Sequence, residues 1–86
     1  MRVELLLTRD SASCRKAELV WRSICDENNL TLTVLEDDSP EGRHVLARLD
    51  LHALPAVLFD GRLVAVGVQT PQQALDLLHA AGDGGQ

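Results

Sequence analysis

The chain has few cysteines, few basic residues and no long apolar run. It contains two cysteines, and its 8 lysines and arginines stand against 13 aspartates and glutamates, for a formal net charge of −5. Two cysteines are too few for a disulfide framework, and no Cys/His group has the spacing of a zinc or other metal site. The acidic balance argues against nucleic acids and anionic membranes as partners, because both select an excess of Lys and Arg.

Two further absences concern location and organisation. No apolar run approaches the ~20 residues of a membrane span, and Met1 leads directly into an apolar segment without a signal-peptide pattern. We therefore expect a cytoplasmic, monomeric protein. With 86 residues, of which 45% are hydrophobic, the chain can form one small folded domain. That domain is predicted over residues 1–82, and residues 83–86 are predicted to form a flexible tail.

The hydrophobic periodicity predicts the element order β-α-β-α-β-β-α. Strands are expected over about 2–8, 31–35, 54–59 and 62–66, and helices over about 11–28, 40–49 and 71–81. The unbroken Leu5-Leu6-Leu7 is typical of a central strand covered on both faces. Asp60-Gly61 between two apolar runs predicts a tight hairpin. These signals together predict an α/β fold with a four-stranded mixed sheet and helices on both faces.

The first predicted helix carries both cysteines. Its apolar stripe consists of Cys14, Ala17, Trp21, Ile24 and Cys25. On one helix the two cysteines lie about 16 Å apart, which is too far for a disulfide within the chain. Trp21 and Cys25 are expected in the core.

Other candidate residues carry weaker signals. The histidines His44, His52 and His79 fall in separate elements, so no catalytic or metal-binding role is expected for them. Glu36-Asp37-Asp38 indicates an exposed turn.

Three short motifs carry a resemblance to a known family. They are Ser11-Ala12-Ser13-Cys14 before Arg15-Lys16-Ala17, Leu54-Pro55 at the third strand, and Gly67 after the fourth. From Val3 to about Ala81 the chain resembles the thioredoxin-like superfamily in its short, glutaredoxin-sized form. That family has Cys-x-x-Cys at the first strand–helix junction, a cis-proline facing the thiols and a glycine near the end of the last strand. The resemblance implies that Cys14 matches the second cysteine and that Ser11 replaces the first.

The resemblance implies a thiol–disulfide redox protein with an atypical Ser-x-x-Cys site. It would act through Cys14 on a protein or a low-molecular-weight thiol. Ordinary dithiol activity is not expected, because Ser11 supplies no second sulfur. The helix N-terminus with Arg15 and Lys16 favours a thiolate, whereas the family's second cysteine is the more buried and less reactive one. Cys14 can also be read as a small apolar residue that fills the junction.

Other interpretations stay open at this point. The chain could be a non-catalytic domain that binds a peptide or protein in the groove beside Pro55. It could instead bind glutathione, since some glutathione transferases have a serine equivalent to Ser11 and a pair similar to Gln69-Thr70, although their all-helical second domain is absent here. Ser11 is also explained as a helix N-cap alone, and the sequence leaves open whether it is native or an engineered replacement of a cysteine. The residues predicted to surround Ser11 and Cys14 are Asp10, Ala12, Ser13, Leu54, Pro55, Gly67, Gln69 and Thr70.

Overall fold

The computed structural model describes residues 1–84 and has the predicted element order. The elements are β1 (Val3–Leu7), α1 (Ala12–Glu27), β2 (Leu32–Glu36), α2 (Pro40–Leu49), β3 (Ala56–Phe59), β4 (Arg62–Val66) and α3 (Pro71–Gly84). The last helix extends beyond its predicted end at Gly82. Of the predicted tail, Gly85 and Gln86 lie outside the described residues. Within the described part of the chain, no helix has the length and apolar character needed to cross a bilayer.

The four strands form one mixed sheet in the order β2-β1-β3-β4. β1 pairs in parallel with β2 and antiparallel with β3, and β3 pairs antiparallel with β4. β1 is therefore an inner strand, and all five of its residues are buried. This confirms the central position that Leu5-Leu6-Leu7 predicted.

The predicted hairpin joins β3 to β4. Phe59 pairs with Arg62, so that Asp60 and Gly61 form a two-residue turn. Their φ angles are 51° and 81°, and positive φ at both positions is what a type I′ turn requires. The register shifts between Val57 and Leu58, which marks a β-bulge in this edge pair.

Buried side chains form two apolar clusters. The larger one includes Leu5, together with residues of α1 and α3 such as Trp21 and Leu78. The smaller one includes Leu6, Val45 of α2, Ala56 and Leu58. Adjacent residues of β1 thus contribute to different clusters, as the two-residue period of a strand requires. Trp21 and Cys25 both belong to the larger cluster, which confirms that they are core residues.

Side-chain caps determine where the helices begin. Ser11 is the N-cap of α1, and Ser39 is the N-cap of α2 with Pro40 at the first helical position. At α3 the Gln73 N–H donates to Thr70 Oγ1 (3.1 Å), and the Thr70 N–H donates to Gln73 Oε1 (2.9 Å). This reciprocal pair is the predicted capping box. Since each cap satisfies donors at a helix start, the sequence signals fix these starts to within a residue.

Candidate functional site

Cys14 lies in the first turn of α1, at the junction with β1. Its side chain is only 2% exposed. The sulfur accepts a hydrogen bond from the backbone N–H of Thr8, just after β1, at 3.3 Å. A backbone donor and a helix N-terminus both favour negative charge on a sulfur atom, whereas burial opposes it. The thiol is therefore positioned by two elements: its residue belongs to α1, and its sulfur is hydrogen-bonded to the backbone that follows β1.

Ser11 is bound to the same turn through its hydroxyl oxygen. Ser11 Oγ accepts the backbone N–H of Cys14 at 3.3 Å, and Ser11 has the extended backbone of an N-cap, with φ −103° and ψ 125°. The capping role is thus present in the structure. No residue in 1–84 accepts a hydrogen bond from the Ser11 hydroxyl, so its proton can still be donated to a bound group.

A groove of about 420 Å³ opens at this junction. We call it the Cys14 groove. It is lined by Thr8, Ser11, Cys14, Asp37, Leu46, Leu51, His52 and Leu54. The three leucines provide an apolar surface beside the thiol, and the other residues provide hydroxyl, carboxylate and imidazole groups. The wall is thus about half apolar and half polar, which suits a ligand that has both an apolar and a polar part.

Asp37 is a groove residue that the sequence placed in an exposed turn. It is half-buried, because its backbone N–H donates to the Leu7 carbonyl (2.9 Å) and continues the β1–β2 pairing. The Thr8 hydroxyl donates to Asp37 Oδ2 at 3.0 Å. Thr8 and Asp37 follow two neighbouring parallel strands, whose carboxyl ends meet at one edge of the sheet. That rule was the signal that could have identified the pair. Of the three residues predicted to form an exposed turn, Glu36 ends β2, Asp37 is half-buried in the turn and only Asp38 is exposed.

His52 also lines the Cys14 groove, although no catalytic or metal-binding role was expected from the sequence for any histidine. Its side chain is 82% exposed, and Nε2 lies 3.1 Å from Asp50 Oδ1. His52 belongs to the segment between α2 and β3, which carries no regular periodicity. No sequence signal placed that segment against the β1–α1 junction. His44 and His79 do not line this groove.

The other predicted residues divide into two groups. Leu54 lines the Cys14 groove, whereas the loop and first-turn residues Asp10, Ala12 and Ser13 are exposed beside it. Pro55 is buried and follows a cis peptide bond. The Gly67 N–H donates to the Pro55 carbonyl at 2.8 Å, which continues the β3–β4 pairing by one residue beyond Ala56 and Val66. Neither Pro55 nor Gly67 lines the groove itself.

Gln69 and Thr70 make internal contacts and do not line the Cys14 groove. Gln69 is 8% exposed, and its Oε1 accepts the indole N–H of Trp21 at 3.0 Å. Its Nε2 lies 3.5 Å from the Val66 carbonyl. Thr70 caps α3. These bonds occupy the groups that the glutathione interpretation assigned to a ligand.

The second thiol is remote from the groove. Cys25 is fully buried in the larger cluster, and burial raises the pKa of its thiol, with a smaller contribution from Asp26. Both cysteines are free. Within residues 1–84 no group of three or more His, Cys, Asp or Glu residues is placed to hold a metal ion. The groove therefore presents one thiol.

Neither the protein-family models nor the curated proteins compared with this chain include a match.

Proposed function

We propose that this chain is a thioredoxin-like protein of the thiol–disulfide group that acts through Cys14 alone. Its substrates would be low-molecular-weight or protein disulfides of the cytoplasm. One observation carries the proposal: the Cys14 thiol lines a groove at a strand–helix junction, in the first turn of α1. The N-terminus of a helix at such a junction favours a thiolate.

The arrangement of the core supports the thioredoxin-like assignment. Because successive strand residues point to opposite faces, the two apolar clusters support an arrangement in which α1 and α3 would cover one face of the sheet and α2 the other. The strand order β2-β1-β3-β4 agrees with a parallel βαβ unit followed by an antiparallel hairpin. In this arrangement the segment around Pro55 would lie against the start of α1.

The proposed reaction is a single thiol–disulfide exchange. The Cys14 thiolate attacks one sulfur of a disulfide RS–SR, a Cys14–SR bond forms, and RS⁻ leaves and takes a proton from water. A thiol from another molecule must then attack the mixed disulfide and restore Cys14. Ser11 has no sulfur, and Cys25 lies on the same helix too far away to resolve it.

The burial of Cys14 favours a second candidate function. A side chain that is 2% exposed offers little surface to an attacking or attacked sulfur. In this alternative the Cys14 groove binds a peptide or protein partner, and the thiol is only part of its wall. The two candidates differ in whether Cys14 reacts in the folded protein.

Mixed-disulfide formation tests the first candidate directly. Cys25→Ala, whose only thiol is Cys14, is incubated with the neutral bis(2-hydroxyethyl) disulfide and examined by mass spectrometry. We expect one adduct on folded Cys25→Ala and none on folded Cys14→Ser, which retains only Cys25. Both variants should react in denaturant. A Cys25→Ala protein that reacts only when unfolded would refute the thiol function and favour the binding domain.

Ser11→Cys tests the assignment of the Ser-x-x-Cys motif. If Ser11 occupies the position of the family's first cysteine, the oxidised variant should contain a disulfide to Cys14 and only one titratable thiol, Cys25. It should also gain activity in an insulin reduction assay in which the parent protein is nearly inactive. Three free thiols after oxidation, or equal activities of the two proteins, would contradict the assignment.

A further inference from the structure

The Cys14 groove contains a carboxylate that is only partly satisfied. Asp37 Oδ2 accepts the Thr8 hydroxyl at 3.0 Å, and among residues 1–84 no other group donates to this carboxylate. Thr8 also donates its backbone N–H to Cys14 Sγ at 3.3 Å. One threonine thus contacts both the sulfur and the carboxylate, and both residues line the same groove.

Neighbouring positive charges do not neutralise Asp37. The Arg9 guanidinium forms an ion pair with Glu36, with a nitrogen–oxygen distance of 2.6 Å. The hydrogen bond to Glu36 is the main cause that raises the pKa of Arg9. The imidazole of His52, on the same groove, is directed to Asp50 at 3.1 Å. Among the described residues, Asp37 is therefore the carboxylate of the groove wall that has no basic partner.

We propose that the Cys14 groove selects small disulfides whose arms end in a cationic amine, the aminothiol class, and that Asp37 binds the amine. The proposal rests on the proposed function, since it names the substrate class of the same thiol. In an aminothiol disulfide only two carbons separate the amine from the sulfur that Cys14 attacks, so the amine would stay in the groove that Asp37 also lines. The leucines Leu46, Leu51 and Leu54 provide an apolar surface for the methylene groups of the arm.

The reaction uses the disulfide itself as the oxidant. The Cys14 thiolate attacks one sulfur of an aminothiol disulfide and forms the Cys14–S–S–CH₂CH₂NH₃⁺ adduct. The disulfide bond of the reagent breaks, and its other half leaves as a thiolate that is protonated by water. Asp37 takes no part in the electron transfer. Its role is to position the amine and to raise the local concentration of cationic reagents.

Three disulfides of similar length and different charge provide the test on Cys25→Ala. They are cystamine (cationic), bis(2-hydroxyethyl) disulfide (neutral) and dithiodipropionate (anionic). The measured quantity is the rate of adduct formation on the folded protein divided by the rate with the same reagent in denaturant, which removes differences in leaving-group reactivity. Each value is then expressed as a ratio to that of the neutral reagent. Cystamine should give the highest ratio and dithiodipropionate the lowest. Added salt should bring the two ratios together, because it screens the Asp37 charge.

Asp37→Asn in the same background removes the charge and retains an oxygen that can accept the Thr8 hydroxyl. We expect its cystamine ratio to fall about fivefold, the factor for a unit charge ~4 Å away in water. Asp38→Asn, the matched control, alters an exposed carboxylate that does not line the groove. Its ratio should stay close to that of the parent.

The outcomes separate the two proposals. Equal ratios for the three reagents, or an Asp37→Asn ratio equal to the parent ratio, would overturn the charge selection and leave the thiol function intact. Failure of all three reagents to modify folded Cys25→Ala would overturn both. If Asp37→Asn does not fold, as judged from Trp21 fluorescence, the charge series and its salt dependence in Cys25→Ala still decide the question.

Discussion

Gly42 is the position where one added methyl group should be most damaging. It is a buried residue in the first turn of α2, which begins soon after β2 ends. A Cβ atom on Gly42 would lie 1.8 Å from the carbonyl oxygen of Glu36 and 2.8 Å from its carbonyl carbon. Cβ contacts shorter than 3.0 Å essentially never occur in proteins. Gly42→Ala must therefore push the start of α2 away from the end of β2.

The cost follows from the hydrogen bonds at that junction. Ser39 Oγ donates to the Glu36 carbonyl at 2.7 Å, and the Gly42 N–H donates to Ser39 Oγ at 3.0 Å. The Ser39 N–H also donates to the Glu36 carbonyl, at 3.1 Å. Each bond that is lost costs about 1 kcal/mol, and the higher helix propensity of alanine returns about 1 kcal/mol. We expect the free energy of unfolding to fall by about 2 kcal/mol, within the usual range for overpacking.

Urea unfolding followed by the fluorescence of Trp21, the only tryptophan, measures this change. Gly82→Ala is the matched control, since Gly82 is an exposed residue of α3 and a Cβ there meets nothing within 4 Å. The control should raise the free energy of unfolding by up to about 1 kcal/mol through helix propensity alone. The same glycine-to-alanine substitution should thus lower the free energy of unfolding in α2 and raise it in α3. A Gly42→Ala protein at least as stable as the parent would refute the reasoning.

Three further predictions concern the hairpin, the core and the second thiol. Gly61→Val should lower the free energy of unfolding by about 2 kcal/mol, because φ is 81° there and a side chain at such φ is strained; Arg62→Val, on the exposed edge strand, should cost much less in the same urea assay. Gln69→Leu should cost about 1–3 kcal/mol by leaving the buried Trp21 indole N–H without its acceptor, and an unchanged indole N–H resonance in the NMR spectrum would contradict this. Burial raises the pKa of Cys25 above 9.0, so the unfolded chain loses this proton at a lower pH than the folded protein does. Its contribution to stability is therefore present below about pH 9 and is lost as the pH rises further; urea midpoints of the parent should fall more steeply over this range than those of Cys25→Ala.

Short-range signals in the sequence were enough to determine the elements. Ser39-Pro40 and the Thr70–Gln73 pair place two helix starts, and Asp60-Gly61 places the hairpin turn. Each signal works through hydrogen bonds or φ preferences within four residues, so no knowledge of the remaining chain is needed. The burial of β1 and of the α1 stripe could be predicted for a similar reason, since the repeat of apolar residues itself defines the buried face.

The composition of the site was decided only by the tertiary structure. Thr8 and Asp37 are 29 residues apart in the chain, and Trp21 and Gln69 are 48 apart. Such contacts depend on which strands pair and in which register. They also depend on where the irregular segment that carries His52 packs. The same is true of Gly42, whose lack of a side chain matters only because α2 packs against the Glu36 carbonyl. Local conformational preferences act over a few residues and carry no information about contacts between residues that are distant in the chain. Strand pairing and core packing bring those distant side chains to one groove.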